Sequence, residues 1–166
     1  MADELLSVAR LRELLHYNPE TGTFTWLVRT SNCIKIGDRA GGHNADGYVL
    51  VRVDGKQYLA HRLAWLYMTG KWPVDQIDHR NGVCEDNRFD NLRDVKPAMN
   101  SQNMRRPPMH NKSKFLGVCW HKQNGKWRAQ IHIKGKQIYL GVFDCPKVAH
   151  AAYIAAKRQF HEGNTL

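Results

Sequence analysis

Residues 74–100 decide the fold of the central part of the chain, and they read VDQIDHRNGVCEDNRFDNLRDVKPAMN. The apolar start, residues 74–78, predicts a short strand. Residues 80–90 are dense in Asn, Asp and Gly, which is typical of a polar loop. Proline is favoured at the first position of a helix, so a helix is predicted to begin at Pro97. The order is strand, long polar loop, helix.

Upstream of this stretch, leucines and valine at helical spacing predict a helix at residues 5–15, which Asn18-Pro19 ends. The remaining predicted elements are a strand at 23–28, a loop at 39–47, a β-hairpin of residues 47–53 and 56–59 around a type I′ Asp54-Gly55 turn, and a helix at 61–68.

Downstream, the pattern predicts an antiparallel meander followed by a helix. Strands are expected at residues 116–121, 126–134 and 136–143, joined at Asn124-Gly125 and Gly135, and the Ala-rich helix at 146–160. Along the middle strand, Trp127, Ala129, Ile131 and Ile133 share one face, and the other face is polar and basic. The apolar face should pack on the helix, with Trp120 and Trp127 in that core.

The excess of positive over negative charge lies in the last third of the chain. The whole chain has a net charge of +10, yet residues 1–100 hold thirteen basic and thirteen acidic residues. A basic segment with strong strand and helix signals indicates a folded polyanion-binding module. Residues 105–113 contain two prolines and no apolar periodicity, which predicts a linker between the neutral and basic parts.

Asp78, His79 and Asn100 together provide what a one-metal phosphodiester hydrolase needs. Asp78 at a strand end and Asn100 on the next helix offer hard oxygen ligands, and the open positions suit water and phosphate. His79 points to the opposite side of the strand and can act as a base towards water. Taken singly, Asp78 and His79 could equally be a surface pair. Arg80 and Arg93 are interpreted as solvated surface arginines, and His61 as a structural residue of an apolar helix.

The motifs His61-Arg62-Leu63-Ala64, Ile77-Asp78-His79, residues 87–93 and residues 100–103 resemble the HNH homing endonucleases of bacteriophages and their introns. The resemblance covers residues 50–104 and implies a ββα-metal (His-Me finger) unit. It implies His79 as general base, Asn91 as the residue that fixes the loop, and Asp78 and Asn100 as ligands of one divalent ion, Mg²⁺ or Mn²⁺. Asn91 could also be a plain turn residue. The last motif position is Asn100 rather than the histidine of the family name.

Residues 114–166 resemble the APETALA2-type DNA-binding domain, through Phe115-Leu116-Gly117-Val118, Gly125-Lys126-Trp127, residues 139–144 and residues 149–156. The resemblance implies a three-stranded sheet in the major groove of DNA. The guanine-reading arginines of that family are largely absent here, so its G-rich preference is not carried over. The expected DNA-contacting residues are Lys122, Lys126, Arg128, Gln130, His132, Lys134, Gln137 and Tyr139, with Arg105 and Arg106 of the linker.

These patterns predict an α+β chain with four parts. They are an N-terminal helix and β region (1–49), an HNH ββα-metal unit (50–104), a linker (105–113) and an APETALA2-like domain (114–166), a three-stranded antiparallel sheet packed on one helix. The predicted function is a site-specific, homing-type DNA endonuclease of a branch that often nicks one strand and leaves 5′ phosphate. A DNA-binding regulator without activity and an RNA-binding or structural phage protein are the alternatives.

Composition sets further expectations. No apolar run approaches the roughly 20 residues that a membrane helix needs, and the start of the sequence lacks the layout of a signal peptide, so a cytoplasmic location is expected, in a bacterial host if the chain is phage-encoded. The four cysteines form no Cys-x-x-Cys pair, so no structural zinc is expected. The expected partner is double-stranded DNA, no membrane is expected, and a monomer suffices.

Overall fold

The computed structural model describes residues 6–103, 107 and 111–161, which form two compact units. The first unit ends at Lys96 and the second begins at Pro97. Each unit combines short helices with small antiparallel sheets, so the predicted mixture of helix and strand is confirmed. The four-part division of the chain stays a prediction. No helix in the described ranges is both long and apolar enough to cross a bilayer.

The first unit contains two helices and three small sheets within its described residues. The elements are α1 (Val8–Leu14), β1 (Leu15–Asn18), β2 (Thr23–Trp26), β3 (Gly42–His43), β4 (Val49–Val53), β5 (Lys56–Leu59), α2 (Ala60–Thr69), β6 (Gln76–His79) and β7 (Leu92–Val95). Strand β1 pairs with β2, β4 lies between β3 and β5, and β6 pairs with β7. A short 3-10 helix, Phe89–Asn91, leads into β7.

One hydrophobic core runs through this unit, from Leu6 near its start to Leu92 on β7. Alternate residues of β4 enter it, since Val49, Val51 and Val53 are buried while Arg52 is exposed. The β4–β5 turn is as predicted: Asp54 and Gly55 both have positive φ, which a type I′ turn requires. Burial of alternate residues fixes the register of the hairpin that precedes α2.

Three local predictions for this unit were wrong. Helix α1 ends at Leu14 rather than residue 15, because residues 15–18 form strand β1, with Leu15 opposite Trp26. The predicted loop at 39–47 contains β3, and the polar stretch after residue 80 is followed by strand β7 before the helix. Each of these strands is short, and each is fixed by a partner strand rather than by its own residue pattern.

The second unit holds the predicted meander. Its elements are α3 (Pro97–Gln102), β8 (Val118–His121), β9 (Lys126–Ile133), β10 (Lys136–Phe143) and α4 (Pro146–Phe160). Strand β9 lies in the middle of an antiparallel sheet and α4 packs on one face. Val118, Ala129 and Ala149 form the centre of a small core there. The predicted linker residues 105 and 106, and with them the expected DNA contacts Arg105 and Arg106, lie outside the described residues.

The prediction for Trp120 was only half right. Trp120 lies opposite Trp127, on the side of the sheet that faces α4, as its position in the alternation predicts. Its ring meets the Trp127 ring edge to face at 4.9 Å, but Trp120 is 48% exposed. Strand β8 is an edge strand of the sheet, so its side chains have a neighbouring strand on one side only.

Gly117 is expected to be intolerant of a side chain. Its φ is +70°, and a Cβ there would lie 1.9 Å from Cδ2 of Tyr153 on α4. Gly135 has φ +78° with nothing within 4 Å, so it is a matched control for the backbone conformation alone. We expect Gly135→Ala to cost about 1 kcal/mol from its left-handed conformation. Gly117→Ala should cost about 3 kcal/mol, since overpacking is added.

The measurement is native-state hydrogen exchange of the β9 amides in both variants. Equal losses of protection in Gly117→Ala and Gly135→Ala would contradict the contact between Gly117 and Tyr153.

Candidate functional site

The candidate site of the first unit is built on the β6–β7 pair. The register places Asp78 opposite Arg93 and His79 opposite Leu92. Residues 80–88 connect the two strands through the 3-10 helix, and the Arg80 N–H donates to the Asn91 carbonyl at 2.8 Å. Because adjacent residues of a strand point to opposite faces, Asp78 and His79 lie in different environments although they are neighbours in sequence.

Asp78 is a buried carboxylate held by an arginine. It is 7% exposed, and Arg93 donates to its Oδ2 from Nη2 at 2.6 Å and from Nε at 2.8 Å. The interpretation of Arg93 as a solvated surface arginine was therefore wrong, because only 19% of its side chain is exposed. The arginine satisfies Oδ2 with two charge-assisted hydrogen bonds inside the protein.

His79 is buried, and a hydrogen bond to the loop orients its ring. It is 5% exposed, and its Nε2–H donates to Oδ1 of Asn87 at 3.1 Å. Because an amide oxygen can only accept, Nε2 carries the proton and Nδ1 is the unprotonated nitrogen of the neutral ring. Burial lowers the pKa of His79, against the opposing effect of the Asn87 hydrogen bond. A neutral ring with an unprotonated nitrogen has the protonation state of a general base.

Asn91 ties the loop to its own end. Its Nδ2 donates to the Asp86 carbonyl at 2.7 Å and to Oδ1 of Asn81 at 3.0 Å, and its Oδ1 accepts from the Asn81 N–H at 3.0 Å. Asn91 is buried, so these bonds satisfy the amide inside the protein. The contacts are those of a residue that fixes the loop; a catalytic importance for Asn91 stays a prediction.

A second set of contacts shapes the same loop from outside. Both oxygens of Asp86 accept hydrogen bonds from the Arg88 guanidinium, at 2.8 and 2.7 Å. These bonds, with one from Asn81, lower the pKa of Asp86 to about 2. Asp86 is therefore ionised and able to accept the Arg88 hydrogen bonds over the neutral pH range.

The β1–β2 hairpin supports the backbone that carries Asn87. The Tyr17 hydroxyl donates to the Asn87 carbonyl at 2.6 Å, and the Phe89 N–H donates to the Pro19 carbonyl at 3.1 Å. Gly22, with φ +71°, lies so close that a Cβ there would be 2.5 Å from the Arg88 nitrogen. The N-terminal hairpin thus sets the position of the partner of His79.

Two further rings lie against His79. His61 of α2 is 5% exposed, and its ring centroid is 5.1 Å from that of His79. Tyr48, just before β4, is 6.1 Å from His79 by the same measure. Burial is the main reason that the pKa of His61 falls to about 3, so this ring is neutral.

Asn100, the second predicted metal ligand, lies on α3 in the second unit and is partly buried. The described residues include no group of three His, Cys, Asp or Glu side chains placed to hold an ion. The donor set that the sequence predicts, one carboxylate and one amide oxygen, is of the hard type that Mg²⁺ or Mn²⁺ accepts with water completing the shell. The buried carboxylate of Asp78 offers an oxygen ligand of the kind that such an ion takes.

In the second unit, most of the predicted DNA-contacting residues share the sheet face away from α4. Gln130 lies opposite Tyr139, and His132 lies opposite Gln137. Arg128 lies opposite Cys119 of β8 on the same face. The Gln137 Nε2 donates to the Gln130 Oε1 at 2.6 Å, which links the two amides across the strands. Tyr139 is 59% exposed.

The predicted lysines lie around this face. Lys122 is exposed in the β8–β9 turn, and Lys134 is exposed with φ 49° in the β9–β10 turn. Lys126 forms an exposed ion pair with Asp144 at 3.0 Å, which offsets part of its charge. Lys122 and Lys134 therefore lie in the turns of the sheet and Lys126 at the start of β9, while the strands carry the amides and the imidazole.

Sequence reasoning missed Asn87, Arg93 and the contact between His61 and His79. Arg93 had a usable signal: the alternation of Leu92-Arg93-Asp94-Val95 is that of a half-buried strand, and an antiparallel partner of β6 places a basic residue opposite Asp78. Asn87 had no local signal, because it is one of several polar residues in the loop.

Comparison with known proteins places this geometry in context. The family model described as HNH endonuclease matches residues 58–102, which contain α2, β6, the loop, β7 and α3. Protein 3.8 of Escherichia phage T7 is 36% identical over 78 residues, covering 46% of this chain and 64% of that protein. The matched family segment includes Asp78, His79, Asn91 and Asn100.

Part of the chain is also similar to plant proteins with APETALA2 in their names. The AP2-like ethylene-responsive transcription factor TOE2 of Arabidopsis thaliana is 36% identical over 64 residues, covering 39% of this chain and 13% of that protein. APETALA2-like protein 2 of Oryza sativa subsp. japonica is 39% identical over 56 residues, covering 34% and 13%. The chain thus spans about an eighth of the length of these plant relatives. No solved structure matches.

The ion pair of Asp78 should contribute much more to stability than an exposed pair of similar geometry. We expect Arg93→Met to lower the free energy of unfolding by about 3 kcal/mol, because it leaves a buried carboxylate without its arginine. Arg88→Met removes the pair with Asp86, in which the arginine side chain is 46% exposed, and should cost far less because solvent screens the pair. Urea unfolding of the two variants measures the difference; equal losses would contradict the buried character of the Asp78–Arg93 pair.

Proposed function

We propose that this protein is a site-specific, homing-type DNA endonuclease that depends on a divalent metal ion. The observation that carries the proposal is the HNH family match over residues 58–102, in the segment where buried Asp78 and His79 stand side by side on β6. The phage protein that resembles this chain over 78 residues supports a phage setting for the enzyme.

His79 is the proposed general base. Its Nε2–H is held by Asn87, so Nδ1 takes the proton from a water molecule that attacks the scissile phosphate in line. The 3′ oxygen leaves, and the product carries a 5′ phosphate. The hydrogen bonds of Asn91 keep residues 81 and 86 fixed, and so keep Asn87 at the right distance from the base.

Asp78 and Asn100 would hold the metal ion, Mg²⁺ or Mn²⁺. The ion supplies stabilisation of the negative charge that develops on the phosphate and the leaving oxygen. Arg93 restrains the Asp78 carboxylate through two hydrogen bonds to Oδ2. Asn100 is assigned here by the family resemblance.

The second unit is the proposed DNA-binding part. Its sheet face presents Arg128, Gln130, His132, Gln137 and Tyr139, a set with more amides than cations. An amide can give a donor and an acceptor to one adenine edge, so the linked Gln130 and Gln137 favour adenine. Lys122 and Lys134 at the turns contact phosphates and give affinity without sequence preference. The likeness to APETALA2-like proteins supports this assignment.

A DNA-binding regulator without cleavage is the second candidate. The observation that favours it is the Asp78–Arg93 ion pair, because a buried carboxylate neutralised by arginine is also what a purely structural pair looks like. The two functions differ in whether His79 is needed for a change in the DNA.

Loss of the His79 imidazole should abolish cleavage and leave binding intact. The test incubates supercoiled plasmid and phage DNA with wild type, His79→Ala and His16→Ala, with Mg²⁺ or Mn²⁺ and then with chelator. His16 lies exposed on β1 and controls for the loss of a histidine elsewhere. We expect His79→Ala to cut at least about 100-fold more slowly than the other two.

Metal-dependent nicking or linearisation by wild type and His16→Ala, but not by His79→Ala, would support the nuclease. A variant without His79 that cuts as fast as wild type would overturn the assignment of the base. Tight duplex binding by all three proteins without any cut would favour the regulator.

Gln130 and Lys122 should affect DNA binding in different ways. Selection of sites from a random duplex pool by Gln130→Ala should lose preference at one adenine position, worth about 1–3 kcal/mol. Lys122→Ala should weaken binding to all sequences alike and reduce the slope of log K against log salt by about 1. An unchanged site preference in Gln130→Ala would remove the proposed role of the sheet face.

A further inference from the structure

Three aromatic rings from three separate parts of the first unit meet at His79. The ring centroids of His61 and His79 are 5.1 Å apart, those of Tyr48 and His61 are 5.5 Å apart, and those of Tyr48 and His79 are 6.1 Å apart. His61 lies in the first turn of α2, and Tyr48 lies one residue before β4. Each ring therefore touches the other two.

The His61 ring stands perpendicular to the His79 ring, at an interplanar angle of 89°. Edge-to-face contacts of this kind fix the relative planes of two rings as well as their distance. The hydrogen bond from His79 Nε2 to Asn87 fixes the position of one ring nitrogen. The perpendicular His61 ring adds a restraint on the plane of the His79 ring.

The surroundings of His61 suit this role. It is 5% exposed, and it lies in a helix whose buried face includes Ala60, Leu63 and Ala64. Burial, with smaller contributions in the same direction from His79 and Arg62, lowers the pKa of His61 to about 3. The ring beside the base is therefore uncharged and does not repel a proton arriving at His79.

We propose that His61 is a positioning residue for His79: its ring fixes the plane of the His79 imidazole, and with it the direction of the Nδ1 lone pair. This inference rests on the proposed nuclease function. Tyr48 closes the third side of the cluster, and its hydrogen bond with Cys84 of the loop raises the pKa of Tyr48 to about 12. Tyr48 thus stays protonated and neutral beside the two histidines.

The first test separates the chemical step from binding. Wild type, His61→Ala and His61→Phe are compared in single-turnover cleavage of plasmid at saturating protein, with duplex affinity measured separately. We expect His61→Ala to lower the cleavage rate about 10- to 100-fold with unchanged affinity, because the base is misaligned. His61→Phe keeps a ring in the same place and should restore most of the rate.

Leu63→Ala is the matched control. Leu63 is fully buried on the same helix and is not one of the three rings, so its loss lowers stability without moving His79. Where His61→Ala fails to fold, His61→Leu retains the buried volume without an aromatic plane and takes its place. Equal rate losses in Leu63→Ala and the His61 variants, or no recovery with His61→Phe, would overturn the proposal.

The second test needs no cleavage and so stands apart from the nuclease assignment. Long-range ¹H–¹⁵N NMR spectra of the histidine rings identify the His79 signals by their loss in His79→Ala. Wild type should show His79 protonated at Nε2, with an NOE to the His61 ring. In His61→Leu the His79 ring signals should shift and broaden, as they lose a perpendicular ring.

Unchanged His79 signals in His61→Leu would overturn the positioning role even if wild type cuts DNA. Conversely, shifted His79 signals together with a wild type that binds duplex but cuts no DNA would support the ring contact and favour the regulator. The two failures are therefore distinguishable.

Discussion

The hydrogen bond from His79 Nε2 to Asn87 Oδ1 is the interaction on which the candidate site depends. An imidazole that is 5% exposed must have its polar atoms satisfied inside the protein, since a buried group left without a partner costs about 1–3 kcal/mol. The partner lies in the loop between β6 and β7. The side-chain bonds of Asn91 close that loop, and the Tyr17 hydroxyl holds its backbone from the N-terminal hairpin. The β1–β2 hairpin, which is distant in sequence, thus helps to fix the tautomer and the position of His79 through Asn87.

Strand alternation gives the two neighbours, Asp78 and His79, opposite electrostatic environments. Asp78 pairs with an arginine, whereas His79 faces two neutral rings and an amide, and burial lowers the pKa of His79. A site that binds a cation and takes a proton needs a carboxylate and a neutral base within a few ångströms. A β-strand achieves this with adjacent residues because its faces see different parts of the fold. The cost is that both groups are buried, which makes the site sensitive to the loss of any single partner.

The second unit has a small core on one face of its sheet and polar side chains on the other. Its sheet buries small side chains, Val118, Ala129 and Ala149, against one helix, which leaves the opposite face to long polar side chains. Lys122 and Lys134 lie at the turns, whereas the amides lie along the strands together with Arg128. For the proposed function this matters, because phosphate contacts set affinity while base-edge contacts set the target. Most of the excess charge of the chain belongs to this unit and its linker.

Local chemistry in the sequence determined the Asp54-Gly55 turn, the meander of β8–β10, the start of α3 at Pro97 and the whole of α4, because turns, caps and periodicity are encoded within a few residues. It also singled out Asp78, His79, Asn91 and Asn100 as the residues to watch. The roles of Asn87 and Arg93, the ring contact of His61, and strand β1 could not be obtained this way. Residues 14 and 15 fit a helix and a strand equally well by pattern, and only pairing with β2 ends the helix there. The sequence by itself determined which chemical groups are present and where the chain turns; the tertiary structure decided which groups meet, because contacts between residues 17 and 87 or 61 and 79 exist only after distant segments have packed into one core.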